Sequence, residues 1–178
     1  MNPTVETVVF ENGFDALLNE GLAYDSCQVG VITNIDPAHH FGQHGVETLK
    51  QVFNVLRTQI DVVTPTAAAI DDVEKDIVLP VGTAVLNAKD EMLVEMSELC
   101  HGEVIFFSMN PDLPVIAQHR VKGTGSTQGK RAVLLRDNVV MLATGSNELP
   151  LISLAEIFSD GNQHGPEEIE NILAAIGA

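Results

Sequence analysis

Basic residues are scarce in this chain, and their scarcity restricts the partners it can have. Nine Lys and Arg stand against 25 Asp and Glu in 178 residues, which gives a formal net charge of −16 and a pI near 4.5. A surface this acidic repels phosphate backbones and anionic lipids. We therefore expect neither a nucleic acid nor a membrane as a partner. The 45% of apolar residues predicts instead a globular domain with a sizeable core.

Long apolar runs and paired cysteines are missing as well. No segment has the run of about 20 apolar residues that crosses a bilayer, and the first residues, MNPTVETVVF, lack the basic and apolar regions of a secretory signal. Cys27 and Cys100 belong to no CxxC pair, which disfavours zinc and suits reduced, buried thiols. These features together predict a cytoplasmic protein.

The common catalytic motifs are also absent. The sequence contains neither a GxxxxGK[ST] phosphate loop nor a nucleophile-elbow motif. One Gly-rich stretch, KGTGSTQGK, has the wrong order of residues for a phosphate loop and precedes a hairpin pattern, so we interpret it as a flexible loop. Two segments, 64–76 and 122–130, are therefore predicted to be loops that interrupt the regular elements.

The rest of the chain alternates between strand and helix patterns, which predicts an α/β fold. A mostly parallel sheet flanked by helices, with a small β-rich edge, is the expected architecture. Predicted strands are Val5–Phe10, Cys27–Ile35, two within Asp76–Ala88, Glu103–Met109, and a hairpin over Arg131–Gly145 that turns at Asp137-Asn138. Predicted helices are Phe14–Leu22, an amphipathic one over Val46–Ile60, one capped by Asp90, and one that starts at Pro166.

Polar side chains follow two of these strands. The stretch VGVITNIDPAHHFG carries Asp36, His39, His40 and His44 after its strand, and Glu11 directly follows the first one. Ligands of such sheets bind at the carboxyl ends of the strands. The histidines are either solvated loop residues or metal ligands, and Glu11 is either a favourable acid near a helix start or a ligand. If the two strands are neighbours, Glu11 and His40 could face one Mg²⁺.

A third strand pattern ends in Asn87 and leads to Asp90. One interpretation is a turn followed by a helix cap. The other is a binding site in which the Asn87 amide recognises a purine edge and the Asp90 carboxylate lies near a ribose or a metal. Spacing alone leaves both open.

Three long stretches resemble the Mur-ligase-like region of the cyanophycin synthetases. They are ENGFDALLNEGLAYDSCQVGVITNIDPAHHFG, GTAVLNAKDEMLVEMSELCHGEVIFF and IENILAAIGA, in that order along the chain. The resemblance implies that residues 1–178 are a partial Mur-ligase central, ATP-binding domain. It also implies an ATP-dependent amide ligase, in which this region joins arginine to the aspartate side chains of a polyaspartate backbone through an acyl phosphate.

The resemblance implies roles for individual residues and for partners. Glu11 and His40 match family residues that hold Mg²⁺, Asn87 and Asp90 match a segment near the nucleotide, and Asn171 matches an asparagine of the last central-domain helix. No catalytic residue is assigned. The implied cofactors are ATP and Mg²⁺. The implied partners are ATP, arginine, aspartate and the cyanophycin polymer, and we expect a homo-oligomer.

The sequence also departs from the family pattern. Lys89 stands where the family has the first acid of an Asp-Asp pair, and Val55 or Leu56 stands where Mur ligases often present a lysine. The family's phosphate loop, a GTNGKT-like sequence, is expected upstream, so we expect the isolated chain to lack ligase activity. Two alternatives are a non-catalytic assembly remnant of a synthetase and an unrelated metal-binding α/β protein.

Overall fold

A computed structural model describes residue 4, residues 6–36, 38, 41–42, 45–66, 81–121, 129–158 and 164–178. Its strands are β1 (Val29–Ile32), β2 (Thr83–Asn87), β3 (Glu103–Ser108), β4 (Arg131–Arg136), β5 (Val139–Thr144) and β6 (Asn147–Ser153). Its helices are α1 (Phe14–Glu20), α2 (Leu49–Asp61), α3 (Glu91–Ser97), α4 (Pro114–Val121), α5 (Leu154–Ile157) and α6 (Pro166–Gly177).

The six strands form one sheet whose spatial order is the same as their order along the chain. β1, β2, β3 and β4 run parallel, and β4, β5 and β6 form an antiparallel meander. Val85 in β2 lies between Val31 of β1 and Ile105 of β3. The predicted α/β fold, a mostly parallel sheet with a β-rich edge, is therefore confirmed.

Helices cover both faces of the sheet, and each face has its own core. One core joins α1, α2, α3 and α4 to the sheet; in α2, Val52, Leu56 and Ile60 are buried at helical spacing. The opposite core packs Leu173 of α6 against Val85 and other strand residues. Alternate strand residues point to opposite faces, which is why β2 is buried along almost its whole length.

Local sequence signals set the ends of several elements. Thr48 and Gln51 form a capping box at the start of α2, and α6 begins at Pro166 as predicted. The hairpin turns at Asp137 and Asn138, whose φ angles of 50° and 60° fit the type I′ turn that joins antiparallel strands tightly.

The first predicted strand is wrong, and the second is only partly right. Residues 6–10 form no strand, and Val9 is 90% exposed. β1 is shorter than predicted, and the described helices cover one of its faces only. Helix α6 packs on β2, β3 and β4 and leaves Val29 and Val31 each 40% exposed. A continuous apolar run does not reveal how many helices will reach a strand.

Three further elements, α4, α5 and β6, were not predicted. Ile116 and His119 are the buried residues of α4, too few for a clear helical pattern. Pro150 interrupts β6, which a register shift between Val140 and Met141 accommodates. The predicted strand before Pro80 and most of the loops 64–76 and 122–130 lie outside the described residues. None of the described helices has the length and apolar character to cross a membrane.

Candidate functional site

A cavity of about 660 Å³ opens where the carboxyl ends of β1 and β2 meet the first turn of α6. It lies at the edge of a parallel sheet where ligands usually bind, and its size is in the range of small-molecule sites. The lining residues are Asn34, Asn87, Lys89, Asp90, Gly165, Pro166, Glu167, Glu168 and Glu170.

Asn87 is the deepest polar side chain of the cavity. It ends β2, a strand between two parallel neighbours, and is only 3% exposed. Its Oδ1 accepts a hydrogen bond from the Lys89 backbone N–H at 3.0 Å, which orients the side-chain amide. No group in the described part of the chain accepts a hydrogen bond from its Nδ2, so a buried donor is left for whatever enters the cavity.

Asp90 has the structural role that the first interpretation gave it. Its Oδ1 accepts hydrogen bonds from the backbone N–H groups of Met92 (2.9 Å) and Leu93 (3.3 Å) and caps α3. Its Oδ2 accepts from the Ile35 backbone N–H at 2.7 Å. The carboxylate therefore fixes the loop after β1 to the start of α3, and both of its oxygens already accept a hydrogen bond.

The α6 side of the cavity is acidic. Glu168 Oε2 accepts from the Gly165 backbone N–H at 2.8 Å and so begins the helix. Lys89 Nζ lies 4.0 Å from Glu170 Oε1; the Lys89 side chain is 76% exposed and that of Glu170 only 17%. Lys89 is the one cation among the described lining residues, against four carboxylates. An anion as large as a triphosphate would be repelled from the interior.

Of the predicted metal ligands, Glu11 and Asp36 lie within the described residues, and neither lines this cavity. Glu11 is exposed and follows a segment that is not a strand, while His39, His40 and His44 lie outside the described residues. Asp36 is exposed and its Oδ1 accepts from the Ala38 backbone N–H at 3.0 Å.

Within the described ranges, no group of three or more His, Cys, Asp or Glu side chains is placed so that it could hold a metal ion. The assignment of Mg²⁺ to Glu11 and His40 stays a prediction. Asn171 is exposed on α6 and is not one of the lining residues of the cavity.

Sequence reasoning missed Asn34 and Glu170 as cavity residues. Asn34 lies just beyond the end of β1, so the carboxyl-end argument applied to Asp36 could have found it. Glu170 is separated from Asn87 by 83 positions, as the residue numbers show, and no local pattern connects α6 with β2. Only the packing of α6 across the sheet brings these residues together.

No protein-family profile matches the chain. A cyanophycin synthetase of Synechocystis sp. is 37% identical over 118 residues, which are 66% of this chain and 12% of that protein. The cyanophycin synthetase of Crocosphaera subtropica is 36% identical over 174 residues, 98% of this chain and 17% of that protein. That of Trichormus variabilis is 33% identical over 122 residues.

The chain thus spans 12% to 17% of the length of these curated relatives. The match to the Crocosphaera subtropica protein includes nearly every residue of the chain. The chain is therefore related to the cyanophycin synthetases, over one region that forms a small part of those longer proteins.

Proposed function

We propose that the chain forms part of an ATP-dependent amide ligase of the cyanophycin synthetase kind, with a Mur-ligase-like architecture. Identity of 36% over 98% of the chain to one such synthetase carries this proposal. In the proposed reaction, ATP transfers its γ-phosphoryl group to an aspartate side-chain carboxylate of the polymer. The amine of arginine then attacks the acyl phosphate, an amide bond forms, and inorganic phosphate leaves. A homo-oligomer in the cytoplasm is part of the same proposal.

The cavity beside Asn87 and Asp90 is the proposed nucleotide site. Asn87 supplies a buried amide, and Asp90 holds the wall of the cavity in place through Ile35 and α3. Lys89, exposed at the rim, is the lining cation available to nucleotide phosphates in the described structure. These features support binding of a nucleotide whose phosphates point outwards, away from the acidic helix turn.

Magnesium is the proposed metal, with Glu11 and His40 as ligands. Glu11 is exposed, and no described group hydrogen-bonds to its carboxylate, so its oxygens are free to bind a hard cation. A bound Mg²⁺ would neutralise the negative charge of the phosphates during transfer of the phosphoryl group. An exposed carboxylate without a described hydrogen-bond partner supports Glu11 as one ligand.

Nucleotide binding can be tested with the purified chain. We expect MgATP to shift the backbone amide resonances of Lys89, Glu167 and Glu168 in ¹⁵N spectra, and to leave that of Gln118 on α4 unchanged. Lys89→Glu should weaken ATP binding several-fold, because it reverses the rim charge. Lys50→Glu is the matched control: it makes the same change on the exposed face of α2. Absence of ATP binding, or equal effects of the two variants, would contradict the proposed site.

Catalysis by the isolated chain has its own test. Incubation with ATP, Mg²⁺, arginine, aspartate and a cyanophycin primer should release no phosphate above the buffer blank, because the sequence contains no Gly-rich phosphate loop to stabilise the transferred group. Turnover above the blank would overturn the expectation that the chain alone is inactive.

A second candidate function is a non-catalytic assembly module for a synthetase. It is favoured by the apolar surface of β1, where Val29 and Val31 are each 40% exposed and no charged residue lies between Cys27 and Ile35. Co-purification with a full-length synthetase, together with no ATP binding, would support this function. Val31→Lys should then abolish co-purification. Leu49→Lys, the same change at another exposed apolar residue, should not.

A further inference from the structure

The two edges of the sheet differ in how they are protected against a further strand. β1 forms one edge and β6 the other. In β6, Pro150 lacks an N–H, and the pairing with β5 shifts register between Val140 and Met141; proteins use both devices to keep strands from adding to an edge. β1 pairs in continuous register, and no charged residue or proline lies between Cys27 and Ile35. The β1 edge is therefore open to another strand.

Backbone groups of β1 are unused on the side away from β2. The Gln28 carbonyl oxygen accepts a hydrogen bond from the Thr83 N–H at 2.8 Å, so the even-numbered residues of this strand direct their backbone groups towards β2. Val29 and Val31 direct theirs to the opposite side, where no described residue bonds to them. Both residues are 40% exposed. An added strand would satisfy these N–H and C=O groups and cover both valines.

A strand-forming segment without a partner strand lies elsewhere on the same chain. Residues 6–10, ETVVF, are rich in β-branched residues, yet they make no backbone hydrogen bond with the described part of the chain. Val8 is 58%, Val9 90% and Phe10 59% exposed. The Phe10 ring stacks on that of Tyr24, with centroids 5.6 Å apart. The segment is thus anchored at one end while its strand-forming residues stay exposed.

We infer that the free edge of β1 accepts residues 6–10 of a second copy, and that two copies exchange these segments reciprocally. Within one copy the edge and the segment do not pair with each other. In a symmetric dimer each copy supplies one edge and one segment, so both are satisfied. The inference rests on the homo-oligomer of the proposed function and names its interface.

The charge of the chain predicts how this dimer responds to salt. Each copy has a formal net charge of −16, so two copies repel each other at low ionic strength. The contact itself joins uncharged residues, Val8 to Phe10 and the β1 edge. Because salt screens the repulsion between whole copies, we expect the dimer to bind at least about threefold more tightly at about 0.5 M NaCl than at about 0.05 M.

The first test removes backbone donors from the segment. The double variant Val8→Pro/Val9→Pro lacks two adjacent N–H groups, one of which faces the β1 edge in either register. Both residues are exposed, so the monomer should keep its fold, as circular dichroism will show. We expect the dissociation constant of the dimer, measured by sedimentation velocity, to rise at least about tenfold.

Gly13→Pro is the control just outside the segment. The φ angle of Gly13 is −67°, which suits proline, and a Cβ there meets nothing within 4 Å. Its dissociation constant should stay within about twofold of that of the wild type. Equal effects of the control and the double variant would overturn the inference.

The second test changes the other half of the contact. Val31→Pro removes an N–H that faces away from β2, where an edge strand tolerates proline. We expect this variant to dimerise as weakly as the double variant. A mixture of the two should associate more tightly than either alone, because one retains the edge and the other the segment. A mixture that gains nothing would overturn the reciprocal exchange.

The third test leaves the protein unchanged, in case Val31→Pro does not fold. A synthetic peptide of residues 4–11 is added to the ¹⁵N-labelled full chain. It should dissociate the dimer and shift the backbone amide resonances of Val29 and Val31, but not that of Gln118 on α4.

Two further results would overturn the inference. One is a wild-type chain that stays monomeric up to its solubility limit; if that chain binds MgATP, the proposed ligase relationship still stands. The other is a β1 edge that binds a full-length synthetase and no second copy, which would favour the second candidate function instead.

Discussion

The carboxylate of Asp90 accepts a hydrogen bond from the backbone N–H of Ile35 at 2.7 Å. These residues are 55 positions apart, and their contact joins the loop after β1 to the start of α3. Because Asp90 also caps α3, one side chain stabilises a helix and one wall of the cavity at the same time. A change at Asp90 should therefore affect both stability and ligand binding.

Replacement of Asp90 by Ala should lower the free energy of unfolding by about 2 kcal/mol, because the helix cap and the bond to Ile35 are both lost. Urea denaturation followed by circular dichroism measures this change. Asp112→Ala is the control, since Asp112 is exposed and its side chain accepts no hydrogen bond from the described residues; its effect should be within about 0.5 kcal/mol. Equal losses in the two variants would contradict the role of Asp90.

Glu148 joins three elements through two arginines. Its Oε1 accepts from Arg120 Nη1 at 2.7 Å, and its Oε2 from Arg136 Nε at 3.1 Å. The hydrogen bond from Arg120, more than any other contact, lowers the pKa of the Glu148 carboxyl below its ordinary value of 4.5, and partial burial opposes this shift. The charged form therefore stabilises the attachment of α4 to β4 and β6.

The contribution of Glu148 should depend on pH. Its folded-state pKa is depressed, so its stabilisation is fully present above pH 4.5 and is lost as the pH falls through the lower, folded-state value. Urea denaturation of wild type and Glu148→Gln should differ by about 1–2 kcal/mol at pH 7, and the difference should shrink below pH 4.5. Glu95→Gln, a change at an exposed residue of α3, should show no such trend. A difference that is constant with pH would contradict the ion pair's role.

Gly129 lies in a close backbone contact that excludes a side chain. A Cβ at this position would collide with the Arg120 carbonyl oxygen and with the Cα of Gly145. Gly129→Ala should therefore lower the free energy of unfolding by about 1–3 kcal/mol, as for overpacked sites. Gly13→Ala is the control, because a Cβ there meets nothing within 4 Å, and its cost should stay below about 1 kcal/mol. Thermal unfolding of both variants measures the difference.

Several elements were predictable because their signals are local. Asp90 caps α3, Asp137 and Asn138 make the hairpin turn, and Pro166 starts α6. Each depends on the backbone preferences or hydrogen bonds of residues a few positions apart. The strand predicted over residues 6–10 was wrong because strand formation does not depend on local residues alone. Its β-branched residues fit a strand, but strand formation requires a neighbouring strand, and no local pattern supplies one.

The candidate site also has a part that the sequence predicts and a part that only the folded structure shows. The position of Asn87 and Asp90 at the carboxyl end of the sheet, where both line the cavity, could be predicted because polar residues directly after a buried strand lie at that edge. The acids of α6 could not be placed beside them, since the helix pattern fixes which face is apolar but not where the helix crosses the sheet. The unused donor of Asn87 was equally invisible, because its partners depend on burial and on the packing of neighbours.

The amino-acid sequence alone determined the α/β class, the starts of α1, α3 and α6, the hairpin turn and the relation to the cyanophycin synthetases. These depend on composition, short-range periodicity and residue identity. Tertiary structure alone decided that α6 meets β1 and β2 at a cavity, that Asp90 reaches Ile35, and that the described helices leave Val29 and Val31 of β1 partly exposed. The physical reason is that contacts between distant segments depend on how helices pack across the sheet, and local patterns do not specify that packing.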